Sequence, residues 1–214
     1  MKGTRSSRLP GVQYESALWE YGAMRVAGVD EAGRGPLAGP VIAAAVVFPY
    51  KTSPTDIKGV NDSKKISPEK REILYNRIID IAEAVGIGII DAQTIDDINI
   101  LQATFRAMNA AVAQLGFVPE HLLIDGNRFA GSHIPHTMIV HGDELCFSIA
   151  AASIIAKVTR DRIMCAYHAQ YPSYGFARHK GYGTREHYEA LHTYGMAPIH
   201  RQTFVHLGVT KTIA

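Results

Sequence analysis

The feature that most restricts how this chain can fold is the segment 25–48, RVAGVDEAGRGPLAGPVIAAAVVF. Its flanks, 25–29 and 36–48, are rich in Val, Ala and Ile and read as two strands around a glycine turn. Between them stand two adjacent acids, Asp30 and Glu31. Charged side chains are seldom buried without a partner, and a buried strand gains nothing from two of them. The segment therefore asks for a buried apolar sheet and, at one end of it, something that answers two carboxylates.

The rest of the chain supplies that sheet with neighbours. Residues 13–22 read as a short helix ended by Gly22. Ser67 as N-cap and Pro68 in the first turn open a second helix, with Ile73, Leu74, Ile78, Ile79 and Ile81 near helical spacing. VGIGII (85–90) predicts a strand, and 94–116 a helix begun by Thr94 with Asp97 and ended by Gly116. HLLIDG (121–126) and HTMIVHGD (136–143) predict two strands. A long helix follows until Pro172 stops it, then a last helix over 184–195. This order gives an α/β fold, a mixed sheet flanked by helices with a small helical C-terminal part.

Asp30, Glu31, Asp125 and Asp143 each fall at the carboxyl end of such a strand, next to or near glycine. Open α/β sheets build their sites there. If the strands are neighbours, four carboxylates converge and raise one another's pKa. A hard divalent cation, Mg²⁺ or Mn²⁺, resolves that repulsion with oxygen ligands. Asp125-Gly126 and Gly142-Asp143 also fit simple turns. No His or Cys has zinc-finger spacing, and no G-x-S-x-G nucleophile elbow occurs.

Composition narrows the partners. The chain has 214 residues, 47% of them hydrophobic, enough for one core with a small appendage. Its longest uncharged run, 35–50, is sixteen residues broken by three prolines, too short to cross a bilayer. No signal-peptide core precedes it, so a cytoplasmic protein with Cys146 and Cys165 as free thiols is expected. The net charge of +2 is uneven: residues 157–214 hold eight Lys and Arg against three acids. That asymmetry suits either a polyanion gripped beside a metal site or a solvated charged face.

Five ordered blocks, GVDEAGRGPLAGPVIAAAVV, NDSKK, LLIDGN, GDELCFSIAAASIIAKVTRDRIM and YGFARHKGYGT, resemble bacterial ribonuclease HII over about 25–204. The resemblance implies a ribonuclease-H-like core over 25–170, an N-terminal extension over 1–24 and a C-terminal substrate-binding part over 171–214. It implies an endonuclease that hydrolyses the RNA strand of RNA–DNA hybrids and incises 5′ to single ribonucleotides in duplex DNA, leaving 3′-hydroxyl and 5′-phosphate. Mn²⁺ or Mg²⁺ serves as cofactor, and a monomer is expected.

The same resemblance implies that Asp30, Glu31, Asp125 and Asp143 are the metal-binding acids. It makes Gly33, Arg34 and Gly35 the loop on the ribonucleotide 2′-hydroxyl, and Tyr182 the ring on the adjoining sugar. The chemistry agrees. Two cations can activate a water and take up a leaving oxygen. Reading RNA requires sensing the 2′-hydroxyl, and glycine lets backbone approach a sugar closely. Phosphate grip is expected from Lys64, Lys65, Lys157, Arg160, Arg178 and Lys180, the pair Lys157 and Arg160 sharing a helix face. His141, the stretch 144–147 and Thr203 depart from the family pattern; the first two remove positive charge. The related ribonuclease HIII is the alternative enzyme, but its extra N-terminal domain does not fit into twenty-four residues. A non-catalytic binder has no use for four acids facing a polyanion.

Overall fold

A computed structural model describes residues 9–205, apart from the side chain of Lys65. Five strands form one mixed sheet in the order β3-β2-β1-β4-β5: β1 (Val26–Ala32), β2 (Val41–Val47), β3 (Ala84–Ile90), β4 (His121–Asp125) and β5 (His136–Ile139). β1, β2 and β3 are antiparallel neighbours, while β1, β4 and β5 run parallel. The expected mixed sheet is therefore present. The parallel trio carries the ends of β1, β4 and β5 to one edge.

Helices cover both faces. α3 (Ala92–Ala113) packs on one face against Ala27, Val29, Val41 and Ala43. α2 (Pro68–Ile81) and α5 (Phe147–Gln170) pack on the other against Ile42, Ala44 and Val46. The alanines of β2 and the Ala150–Ala152 run of α5 keep these layers close. A Cβ on Gly28 would lie 2.2 Å from the Ser148 carbonyl carbon, so α5 crosses β1 where no side chain intervenes. α1 (Gln13–Glu20) is tied to the start of α5 by buried Glu15, whose Oε1 accepts from Ser148 N at 2.8 Å and from the Cys146 thiol at 3.2 Å.

Three boundaries differ from expectation. β1 continues through Asp30, Glu31 and Ala32, which pair with Ala44, Ala43 and Ile42 of β2, because backbone pairing does not depend on side-chain polarity. Residues 36–40 are not strand: Pro36 and Pro40 lack an N–H, and Gly39 sits at φ +85°. α3 starts from Asp91, whose Oδ1 accepts from Thr94 N at 2.7 Å; Thr94 is already inside the helix. It breaks at Asn99 (φ +65°) and restarts there, Asn99 Oδ1 accepting from the N–H groups of Leu101 and Gln102.

The C-terminal section forms its own apolar cluster around Phe176 and Leu191, from α6 (Phe176–His179), α7 (Arg185–Tyr194) and the turns around them. It is laced to the glycine loop after β1: Leu37 N donates to Gly181 O and Gly39 N to Ile199 O, both at 2.8 Å.

Candidate active site

Strand alternation splits the first two acids. Asp30 shares the α5 side of β1 with Gly28, and Glu31 shares the α3 side with Val29. Val29 is level with Ile124 of β4, so the next positions along, Asp30 and Asp125, stand side by side. Asp143 is not at a strand end as expected. β5 stops at Ile139, His141 turns left-handed (φ +60°), and Asp143 lies in the first turn of α4 (Gly142–Leu145). Asp125 fixes that turn, its Oδ1 accepting from Gly142 N at 2.7 Å. Two local devices, a parallel register and a carboxylate-held turn, thus bring the four acids to one sheet edge.

The edge is electrostatically strained. Burial first, then the charges of Glu31, Asp125 and Asp143, hold the Asp30 carboxyl well above the usual carboxylate range, against the pull of its hydrogen bond from Glu31 N. Burial also raises Glu31, which Arg34 opposes and Asp125 reinforces. Asp143 is raised by burial, Asp125 and Asp62, with Lys64 working against them. Among the described residues no three acidic, histidine or cysteine side chains are closed around a common point as a finished ligand shell. What the acids do offer is a set of hard oxygen donors, and the ionisation of Asp30, Glu31 and Asp143 is disfavoured without a cation, which fits Mg²⁺ or Mn²⁺.

The Gly33–Gly35 loop follows directly. Gly33 is at φ +96°, and a Cβ there would meet Arg160 Nε at 2.1 Å and Pro40 O at 2.8 Å, so only glycine fits. A Cβ on Gly35 would lie 3.8 Å from Tyr182 Cε1. The loop and the half-exposed Tyr182 ring share a cleft of about 270 Å³ with Glu31, Lys64 and Lys157. Arg34 Nη1 is 3.4 Å from Glu31 Oε1, and Lys64 Nζ is 3.5 Å from Asp143 Oδ2. Lys157 Nζ is 2.6 Å from Asp161 Oδ1.

The remaining basic residues are placed differently. Arg160 was expected to meet phosphate, but its guanidinium is buried and donates to the carbonyls of Pro40, Ala38 and Lys180. It holds the loop from behind. Arg178 pairs with Glu186, and Lys180 Nζ donates to Ala177 O; both line a separate cavity of about 660 Å³ between α2 and α5 instead of the acid cleft. The Lys65 side chain lies outside the described residues. Cys146 is buried and Cys165 exposed, both free.

Sequence reasoning missed Arg201. It is fully buried and donates to Gly33 O at 2.6 Å, Arg34 O at 2.9 Å and Gly39 O at 2.8 Å. Burial, then the charge of Arg160, pulls it down to about 9, yet the carbonyl cage keeps it cationic at neutral pH. His187 and His200 pack against Phe176 in the C-terminal section, their Nε2 atoms 3.0 Å apart. His187 Nδ1 donates to Tyr182 O at 2.9 Å, and His200 Nδ1 accepts from Ala197 N at 2.9 Å. This assigns both as neutral tautomers that brace Tyr182. Thr203 keeps the hydroxyl that its position uses, donating to Asp96 Oδ1 at 2.5 Å.

The chain is similar to known proteins over most of its length. The family model for ribonuclease HII matches residues 27–207. The ribonuclease HII of Bacillus cytotoxicus is 55% identical over 90% of this chain and 73% of its own length. That of Pelodictyon phaeoclathratiforme is 54% identical over 89% and 94%. The crystal structure of ribonuclease H2 from Pyrococcus horikoshii superposes with a TM-score of 0.68 at 29% identity, covering 84% of this chain and 93% of that one. With its five-stranded sheet and most of its length matched at this level, the chain belongs to the ribonuclease HII family of ribonuclease H enzymes.

Proposed function

We propose that this ribonuclease H both hydrolyses the RNA strand of RNA–DNA hybrids and incises 5′ to single ribonucleotides in duplex DNA. The products are a 3′-hydroxyl and a 5′-phosphate. The observation that carries the reading is the placement of four acids at one sheet edge directly beside a glycine loop and an exposed tyrosine ring. Asp30, Glu31, Asp125 and Asp143 would hold Mn²⁺ or Mg²⁺. When bound, the cations supply an activated water and neutralise charge on the leaving 3′-oxygen.

The chain's own residues do the selecting. Gly33 and Gly35 let backbone come within reach of a 2′-hydroxyl. Arg201 fixes that backbone by occupying the Gly33 and Arg34 carbonyls, and Arg160 holds the end of the loop at Ala38 and Pro40, so the reader is preorganised. Tyr182 offers a flat face to the next sugar, which is packed most closely when it lacks the hydroxyl. Lys64 and Lys157 stand in the same cleft as cations for phosphate, each exchanging a carboxylate partner for it. The segment 171–214 serves this substrate face as part of the same compact unit, with 1–24 as an extension. A cytoplasmic monomer acting on hybrid and ribonucleotide-containing duplex completes the reading. Among the described residues no helix is long and apolar enough to cross a membrane.

The test separates chemistry from binding. Asp30→Asn and Asp125→Asn should lower cleavage by at least a thousandfold while duplex affinity, read by fluorescence anisotropy in EDTA, holds or tightens. Activity retained in both variants would remove the acids from the site.

A further inference from the structure

Glu31 and Arg34 line a second groove besides the Tyr182 cleft, on the opposite, α3 side of β1. It measures about 350 Å³ and ends at Asp125. Its α3 floor is mainly apolar, Leu101, Phe105 and Met108 with Thr104 among them, while Arg34 and Arg128 bring two guanidiniums to it. Apolar floor, cationic rim and an acid end wall describe a place for a sugar with its phosphate, not for a free anion, which the carboxylates would repel.

Arg128 sits in a loop that is built, not loose. The next residue, Phe129, meets Phe105 edge-on at 6.2 Å and His136 at 5.3 Å. Asn109 Nδ2 donates to Ala130 O at 2.9 Å. Arg128 itself is exposed and has no carboxylate partner among the described residues. A held cation left without a partner at the mouth of a groove is available to an incoming phosphate.

We infer that this groove is the subsite for the nucleotide preceding the cut, with Arg128 on that nucleotide's 5′-phosphate. The inference rests on the proposed function and follows from its direction. The ribonucleotide and the sugar after it occupy the Tyr182 cleft, and the cut falls 5′ to the ribonucleotide. The strand therefore leaves the acids on the other side, where this groove lies. Arg34 stands between the two halves and Arg128 marks the upstream end.

The experiment uses two duplexes with one ribonucleotide each. In one, the cut strand runs ten nucleotides upstream of the ribonucleotide. In the other, only a single nucleoside with a 5′-hydroxyl precedes it, so the phosphate assigned to Arg128 is missing; the complementary strand is unchanged. On the long strand Arg128→Ala should raise KM about tenfold with kcat within twofold, and Arg128→Lys should recover part of the loss. Shortening the strand should cost the wild type a similar factor and the alanine variant nothing more. In EDTA, the affinity of Arg128→Ala for the long duplex should fall about tenfold, with a salt slope smaller by about 1. If the wild type does not cut at the ribonucleotide, the proposed function fails and the subsite with it. If the wild type cuts there but Arg128→Ala keeps its KM, or loses as much on shortening as the wild type does, the subsite alone is overturned.

Discussion

Asp30 concentrates the conflict between stability and function in one side chain. Its folded pKa lies above the ordinary value of 3.8, so the fold disfavours its ionised form. The resulting cost is absent in acid, where the group is protonated in both states, and grows as pH rises through the ordinary range to the raised folded value. In metal-free protein at neutral pH, Asp30→Asn should therefore raise Tm, by about 2–4 °C for each kcal/mol relieved. The gain should shrink toward zero below about pH 4. Thermal melts across pH in EDTA check the sign, and a variant less stable than wild type at neutral pH would contradict it. The oddity that makes Asp30 and Glu31 visible in the sequence, acids in an apolar strand, is the same fact that gives this result. Arg160 and Arg201 were illegible for the converse reason. An arginine reads as surface, and its burial here depends on carbonyls 120 and 160 or more residues away in the chain.

Between elements, the site depends on how the glycine loop is gripped. The strand pattern could be read from apolar runs, while the strand-end acids raised the pairing of β1 with β4 only as a condition that the parallel register then met. The turn that carries Asp143 could not, because it needs His141 in a left-handed conformation and Asp125 bonded to Gly142 N, a contact across β4 and β5. Nor could the tie between 37–39 and the C-terminal section, which is made of backbone bonds with no side-chain signature. Arg201 is where that tie reaches the chemistry. Arg201→Lys keeps the charge but loses the planar fork that serves three carbonyls. At about 1–3 kcal/mol for each buried carbonyl left unpaired, it should destabilise the protein by several kcal/mol in urea melts. At temperatures where it stays folded, its preference for ribonucleotide over all-DNA duplex should fall at least tenfold. An unchanged preference would mean that the loop needs no such clamp.

At the scale of the whole molecule, the sheet edge divides the proposed substrate path. One side holds Gly33–Gly35, Lys64, Lys157 and Tyr182; the other holds Arg128 and the α3 floor; the acids lie between. Charge asymmetry along the sequence suited a polyanion or a solvated face alike, and it did not indicate which cations face the acid cleft. Arg178 and Lys180 fall on a different cavity, and Arg160 faces inward. The central claim is that one edge both cuts and reads the sugar beside the cut. The measurement that tests it most directly is cleavage of a labelled DNA duplex containing one ribonucleotide, with Mn²⁺, Mg²⁺ or EDTA, beside an all-DNA control. The account predicts a metal-dependent cut on the 5′ side of the ribonucleotide and none in the control. An uncut ribonucleotide duplex, or equal cutting of the control, would contradict it.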